Sequence, residues 1–241
     1  MKKTLVIAGA LLALTAGMAS ASGLNLYWND CPPPAGSGIS TQVHQCTSNS
    51  GAHILVASLV APAGIDTCVA ASSVIDVQTN QATLSPWWNV TPSGSCRVGA
   101  MSVSSGFGAL ASCLDPWNGA ALTISDFAQT GPNRFRIRAV SAVPGSAAQA
   151  MIPGAEYYIL EVVVSKRQST GTPSCPGCLD NGCFVYNSLQ ITQPYGTPAG
   201  DPTITNAEQS QVASLGPMDG SLCLATPTRK ATWGAIKAIY H

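Results

Sequence analysis

Nine cysteines, Cys31, Cys46, Cys68, Cys96, Cys113, Cys175, Cys178, Cys183 and Cys223, stand behind an amino terminus built for export, and that conjunction constrains the fold more than any other feature. Met1, Lys2 and Lys3 give a short positive start, residues 5–16 are almost continuously apolar, and Ala19, Ser20 and Ala21 are small. This is the pattern of a bacterial secretory signal cut after Ala21, so residues 1–21 are expected to be a signal peptide and 22–241 a single mature domain. The apolar run is shorter than the ~20 residues that span a bilayer. The longest later candidate, residues 54–61, is interrupted by Ser58 and stopped by Pro62. No transmembrane segment is therefore expected after cleavage, and the chain is expected to be secreted, in the periplasm or outside the cell. Thiols in such a compartment pair. Nine is odd, so one cysteine is expected to stay unpaired, buried or bonded to another molecule. The sequence does not choose among the many pairings of the rest.

Between the cysteines the dominant period is two. Gly23–Trp28 alternates with Leu24, Leu26 and Trp28 on one face, and residues 134–138 alternate as cleanly between Arg and apolar side chains. Residues 54–60, 74–77 and 157–164 are denser in β-branched and apolar side chains, as central strands are. Residues 120–127 and 184–192 bring the total to about eight strands. No amphipathic helical repeat separates them, which disfavours parallel βαβ architecture. The expected fold is all-β: a two-sheet antiparallel sandwich of immunoglobulin-like or jelly-roll type, with long disulfide-tied loops and a short C-terminal element. Residues 31–38, with three prolines, and 169–182, with Cys175 and Cys178 and followed directly by Cys183, are the long loops. Residues 195–229 carry little periodicity and read as an irregular wrap over the sandwich, so that 195–241 is wrap plus terminal element. In 232–240, helical spacing would align Trp233, Ile236 and Tyr240, while Gly234 leaves a strand open. That tail reads as a docked element or an export address.

The opening through Cys31, Pro86-Trp87-Trp88, Gly131-Pro132-Asn133-Arg134, Glu156-Tyr157-Tyr158, Ser169-Thr170-Gly171 ahead of Cys175-Pro176-Gly177-Cys178, and Trp233-Gly234 together resemble a group of cysteine-rich exported proteins predicted from genomes of uncultured bacteria. The resemblance implies export and a shared fold, and no chemistry.

Charge narrows the partners. Lys2 and Lys3 removed from equal totals of 11 basic and 11 acidic residues leave the mature chain at a formal −2, which disfavours nucleic acid. Charged residues are only 9% of the chain, against about a quarter in ordinary soluble domains. Such a weakly self-repelling surface suits a wall-associated, extracellular or assembling protein. The expected partners are a cell-envelope or extracellular polymer, or a second copy of the chain.

The candidate sites are few. Trp87 and Trp88 could stack on sugar rings, or simply pack between the sheets. Cys175-x-x-Cys178 could be a redox pair, but it lies in a Gly/Pro loop with no helix N-terminus to stabilise a thiolate. Together with Cys183 and Cys223 it could hold zinc, which the oxidising destination opposes; structural disulfides fit better, with Cys183 expected to bond Cys175 or Cys178. Arg134, Arg136 and Arg138 form a basic stripe that Glu161 on a neighbouring strand would balance. Asp180-Asn181-Gly182 reads as a turn rather than a calcium loop. His44 and Cys46 could be imagined as base and nucleophile, but an exported cysteine in this company is more often oxidised. No G-x-S-x-G, H-E-x-x-H, P-loop or dinucleotide fingerprint is present. Carboxylate pairs are a tertiary matter. The expected function is a non-catalytic structural or adhesive module without cofactor or metal, with carbohydrate binding as the alternative.

Overall fold

The computed structural model describes residues 22–91, 95–106, 112–217 and 223. The expected signal peptide over 1–21 and the expected terminal element over 232–240 lie outside them. Two sheets of unequal width pack face to face. The narrower holds β1 (Gly23–Trp28), β3 (Ala52–Val60), β10 (Glu156–Ser165) and β6 (Met101–Ser104), in the order β1-β3-β10-β6. The wider runs β2 (Thr41–Val43), β13 (Val212–Gly216), β11 (Gly182–Thr192), β5 (Ala70–Thr79), β8 (Arg134–Ala142) and β7 (Leu122–Gly131), with β12 (Thr203–Ile204) beside β11. β4 (Thr67–Cys68) and β9 (Gln149–Ala150) form a small separate ribbon. The ladders are antiparallel except where β2 joins β13 in parallel. An all-β sandwich is thus what the alternating segments build.

The period of two dictates which side chains meet. β8 turns Phe135, Ile137, Ala139 and Ser141 inward, and β5 does the same with Ala71, Ser73, Ile75 and Val77. In β11 a register shift between Tyr186 and Ser188 resets the alternation, so that Phe184, Tyr186, Leu189 and Ile191 all point into the core. Tyr186 satisfies its hydroxyl on Ser73 at 2.9 Å.

β1 departs from the expectation of one wet face, since Asn25 is buried along with Leu24, Leu26 and Trp28. The cause is the segment after β12, which lies along the edge of β1. Leu24 N–H donates to Asn206 O, Leu26 N–H to Ser210 O, and Glu208 N–H to Leu24 O. The Asn25 amide is shared between Glu156 (3.0 Å) and Glu208 (3.2 Å), while its oxygen accepts from Gln209 N–H at 3.0 Å. Within the described part of the stretch expected to be an irregular wrap, 206–210 follows β1, and β13 sits between β2 and β11 as an integral strand. At five residues its alternation is too short to read locally.

The loops are held by covalent ties and one carboxylate. Cys31 bonds Cys113, Cys46 bonds Cys178, Cys96 bonds Cys175, and Cys183 bonds Cys223. Asp30 gathers the proline-rich loop, accepting from the Cys31, Ser37 and Ser112 N–H groups and from the Ser112 hydroxyl. Burial pushes its carboxyl up, but these bonds outweigh it and hold the group below the ordinary carboxylate range. Gly36 is obligatory there, because a Cβ would lie 2.4 Å from Cys31 O. Two expectations are corrected. Cys183 does not reach Cys175 or Cys178: it lies at the start of β11 opposite Ser214 of β13, and Cys223 rests against Ala213 of that strand. The four cysteines considered for zinc are dispersed over three disulfides.

Cys68 is the cysteine left over, wholly buried in β4, with its thiol pushed up to about 12 by burial. Thiol reactivity needs exposure and a thiolate, and Cys68 has neither. Alkylation with mass readout is therefore expected to add no label to the native protein and a single label after unfolding without reductant. Label uptake at several cysteines of the unfolded, unreduced chain would contradict this pairing.

Candidate functional site

Trp87 and Trp88, the residues expected to offer stacking faces, are each 1% exposed. This corrects the carbohydrate reading of the pair: both faces of each ring are occupied by protein. The two belong to a closed ring of six aromatic side chains. Trp28 of β1 meets Phe184 of β11 edge-on at 5.4 Å and His53 of β3 at 6.2 Å. His53 meets His44 at 5.0 Å, His44 meets Trp87 at 5.0 Å, Trp87 meets Trp88 at 5.0 Å, and Trp88 closes on Phe184 at 6.0 Å. Both sheets and two loops contribute. Each indole N–H is satisfied, Trp28 on Ser214 O, Trp87 on the Ser169 hydroxyl and Trp88 on Asp180 O. Gly182 admits Trp88, since a Cβ there would lie 2.1 Å from its ring. Trp117, also beside a loop, is buried with its N–H on Ile159 O.

Arg97 lies over Trp87, its guanidinium carbon 3.6 Å from the ring centroid, and is itself 1% exposed. Its Nη2 donates to Ser165 O, whereas Nε and Nη1 have no protein acceptor. Burial, then the charge of Arg167, pulls its pKa down to about 9. A desolvated cation on an indole face gains about 2 kcal/mol, which offsets part of that desolvation.

The two histidines form a polar line inside the aromatic ring. His53 Nε2 is 3.0 Å from His44 Nδ1, and His44 Nε2 is 3.1 Å from Cys178 Sγ. A disulfide sulfur carries no hydrogen, so His44 Nε2 holds the proton; Nδ1 then accepts, and His53 donates from Nε2. Burial first, and the positive charges of Lys166 and Arg97, lower His44 to about 4; burial, Lys166 and His44 lower His53 to about 4. Ligand atoms of His44, Cys46 and Cys178 lie within 4.8 Å of one another. Both sulfurs are spent on one disulfide, and the flanking cations oppose a metal ion.

The remaining candidates resolve as structure. Cys175 and Cys178 bond different partners, so the CxxC is not a dithiol pair. Asp180 accepts from Gln81 at 3.0 Å, and Asn181 N–H donates to Asn80, which makes 180–182 a tied turn. Two of the three stripe arginines are balanced within their own sheet rather than by Glu161, which sits in the other one. Arg136 takes Asp76 of β5 at 2.7 Å and Arg138 takes Asp126 of β7 at 2.6 Å. Glu156 is held by Ser58 and Asn25 beside Glu208.

The surface feature that composition did not single out is β7. It closes one side of the wider sheet and, among the described residues, pairs only with β8. Leu122 is 81% exposed and Ile124 73%, and Val140 of β8, opposite Ile124, is 36% exposed. By contrast, the edge of β1 is covered by 206–210. Alternation in 120–127 locates the strand; only the sheet order shows that it is an edge.

A histidine neutral when folded at pH values where the unfolded chain is protonated makes stability fall as pH falls. With folded values near 4 and unfolded ones near 6.5, the loss begins below about pH 6.5 and levels off near 4, at up to about 1.4 kcal/mol per pH unit for each histidine. Denaturant unfolding across that window is expected to show this slope, and His53→Gln to reduce it. An unchanged slope would rule out the histidines as its source.

No family model matches the chain, and no curated protein is significantly similar to it. Among solved structures, a type III cohesin module from the cellulosomal ScaE cell-surface anchoring scaffoldin of Ruminococcus flavefaciens matches at 11% identity and a TM-score of 0.27, over 82% of this chain and 89% of that one. A likeness of that size carries no site from the module to this chain.

Proposed function

We propose that this is an exported, non-catalytic structural module that assembles with copies of itself by pairing along β7. The observation that carries the reading is the ten-residue edge strand with Leu122 and Ile124 turned to solvent. An edge of this length presents unpaired backbone donors and acceptors, and soluble proteins usually blunt such edges with charge, proline or a covering segment. Here the charge on the same face is already neutralised, Asp126 by Arg138. A second copy is favoured over a charged polymer because the chain has 9% charged residues and almost no net charge to repel its own kind. Strand addition supplies backbone hydrogen bonds, and each apolar side chain buried at the seam adds about 1.5–3 kcal/mol. Four disulfides accord with a role outside the cytoplasm.

Sedimentation velocity over a concentration series is the test. The full chain is expected to self-associate, and Leu122→Lys or Ile124→Lys to weaken that association by at least about tenfold, with little change in thermal stability because both side chains are exposed. A chain that stays monomeric at every concentration, or lysine variants that associate as the parent does, would refute the β7 seam. A partner captured only from envelope extracts would reassign the surface to another protein.

A further inference from the structure

We propose that Cys46–Cys178 is an exchange-competent disulfide, with a thiol-accepting cleft beside Cys46 and a built-in stabiliser for the Cys178 thiolate. Three independent observations converge on this bond. The first is access: Cys46 is half-buried and lines a cleft of about 360 Å³ together with His44, His53 and Lys166, whereas Cys178 is buried. An incoming thiolate therefore reaches the Cys46 sulfur and expels the other. The second is the hydrogen bond. His44 Nε2–H already points at Cys178 Sγ from 3.1 Å, and its tautomer is fixed from behind by His53. The third is the field: Lys166 lines the same cleft as His44 and Cys46, and Arg97 lies over Trp87, which meets His44; both side chains are positive. Against these stands Asp180, the acidic residue nearest to Cys178 along the chain, which accepts from the neutral Gln81 amide. A thiolate formed at Cys178 thus gains the His44 N–H donor in positive surroundings, which lowers its proton affinity and makes it the better leaving group.

The step balances without any group beyond the thiol. A low-molecular-weight thiolate attacks Cys46 Sγ; the new S–S bond forms there as the Cys46–Cys178 bond breaks, and its electron pair passes to Cys178 Sγ. The anion is held by His44 Nε2–H. A second thiolate attacking the mixed disulfide releases the oxidised small molecule and leaves Cys46 reduced, while return attack by Cys178 restores the starting state. Cys46 also holds a backbone φ of 56°, in the left-handed region that a residue with a Cβ occupies at a cost. The exchange does not depend on the β7 seam.

The test uses the oxidised full chain under native conditions in glutathione buffers, with acid quench, alkylation and peptide mass spectrometry to follow each bond. Cys46–Cys178 is expected to open at least about tenfold faster than the other three, with glutathione attached to Cys46. Lys166→Gln, a change outside the core, is expected to slow that opening and leave the other bonds untouched. A separate readout is the ultraviolet thiolate absorbance of Cys46→Ser, in which Cys178 should ionise below the ordinary value of about 8.5 while Cys68, pushed up to about 12, stays silent; adding Lys166→Gln should move the Cys178 transition back up. The proposal is overturned if the four bonds open together only on unfolding, if glutathione attaches elsewhere, or if Cys178 ionises at or above the ordinary value.

Discussion

The structure depends on enclosing six aromatic rings in one closed circuit. Trp28 and His53 come from the narrow sheet, Phe184 from the wide one, and His44, Trp87 and Trp88 from loops. Rings of this size contribute strongly when buried, and only if their polar edges are satisfied. Each indole here is anchored on a different part of the chain, at Ser214, Ser169 and Asp180. The circuit therefore fixes the separation of the sheets and the path of both loops at once. The disulfides act on the same loops: Cys96–Cys175 and Cys46–Cys178 fasten the segment that carries Ser169 and Asp180. Each is worth about 2–4 kcal/mol, mostly through the unfolded chain.

A second consequence concerns polarity. Two histidines and Arg97 lie inside an otherwise apolar assembly, and each adjusts to burial by favouring its neutral form or an aromatic face. The histidines stay uncharged and serve as a directed hydrogen-bond line ending on sulfur. One arrangement thus provides packing, an acid-sensitive term in stability and a reactive edge on one of the four disulfides.

The unequal width of the sheets decides the surface. The six-strand path ends at β7, whose inner side meets the end of β6 where the Thr123 and Ser105 hydroxyls bond at 2.6 Å. One sheet edge, β1, is sealed by 206–210, which also buries Asn25. At β7, among the described residues, the outer edge has no partner strand and Leu122 and Ile124 are exposed. With few charges anywhere, contact rather than long-range steering governs what this surface can do.

Local chemistry determined a good deal. Alternation at Gly23–Trp28 and over 134–138 located strands and named their inward faces, because the pleat repeats every two residues whatever lies across the sheet. The odd cysteine count required a residue without an intramolecular partner, though not its identity. What the tertiary structure alone decided are relations across distance: that Cys183 meets Cys223 and not its near neighbours, that Arg138 faces Asp126 and not Glu161, that Trp87 and Trp88 point inward, and that the strand over 120–127 is an edge. Each turns on which segments, far apart in sequence, lie side by side, and that is a condition no short window of sequence contains.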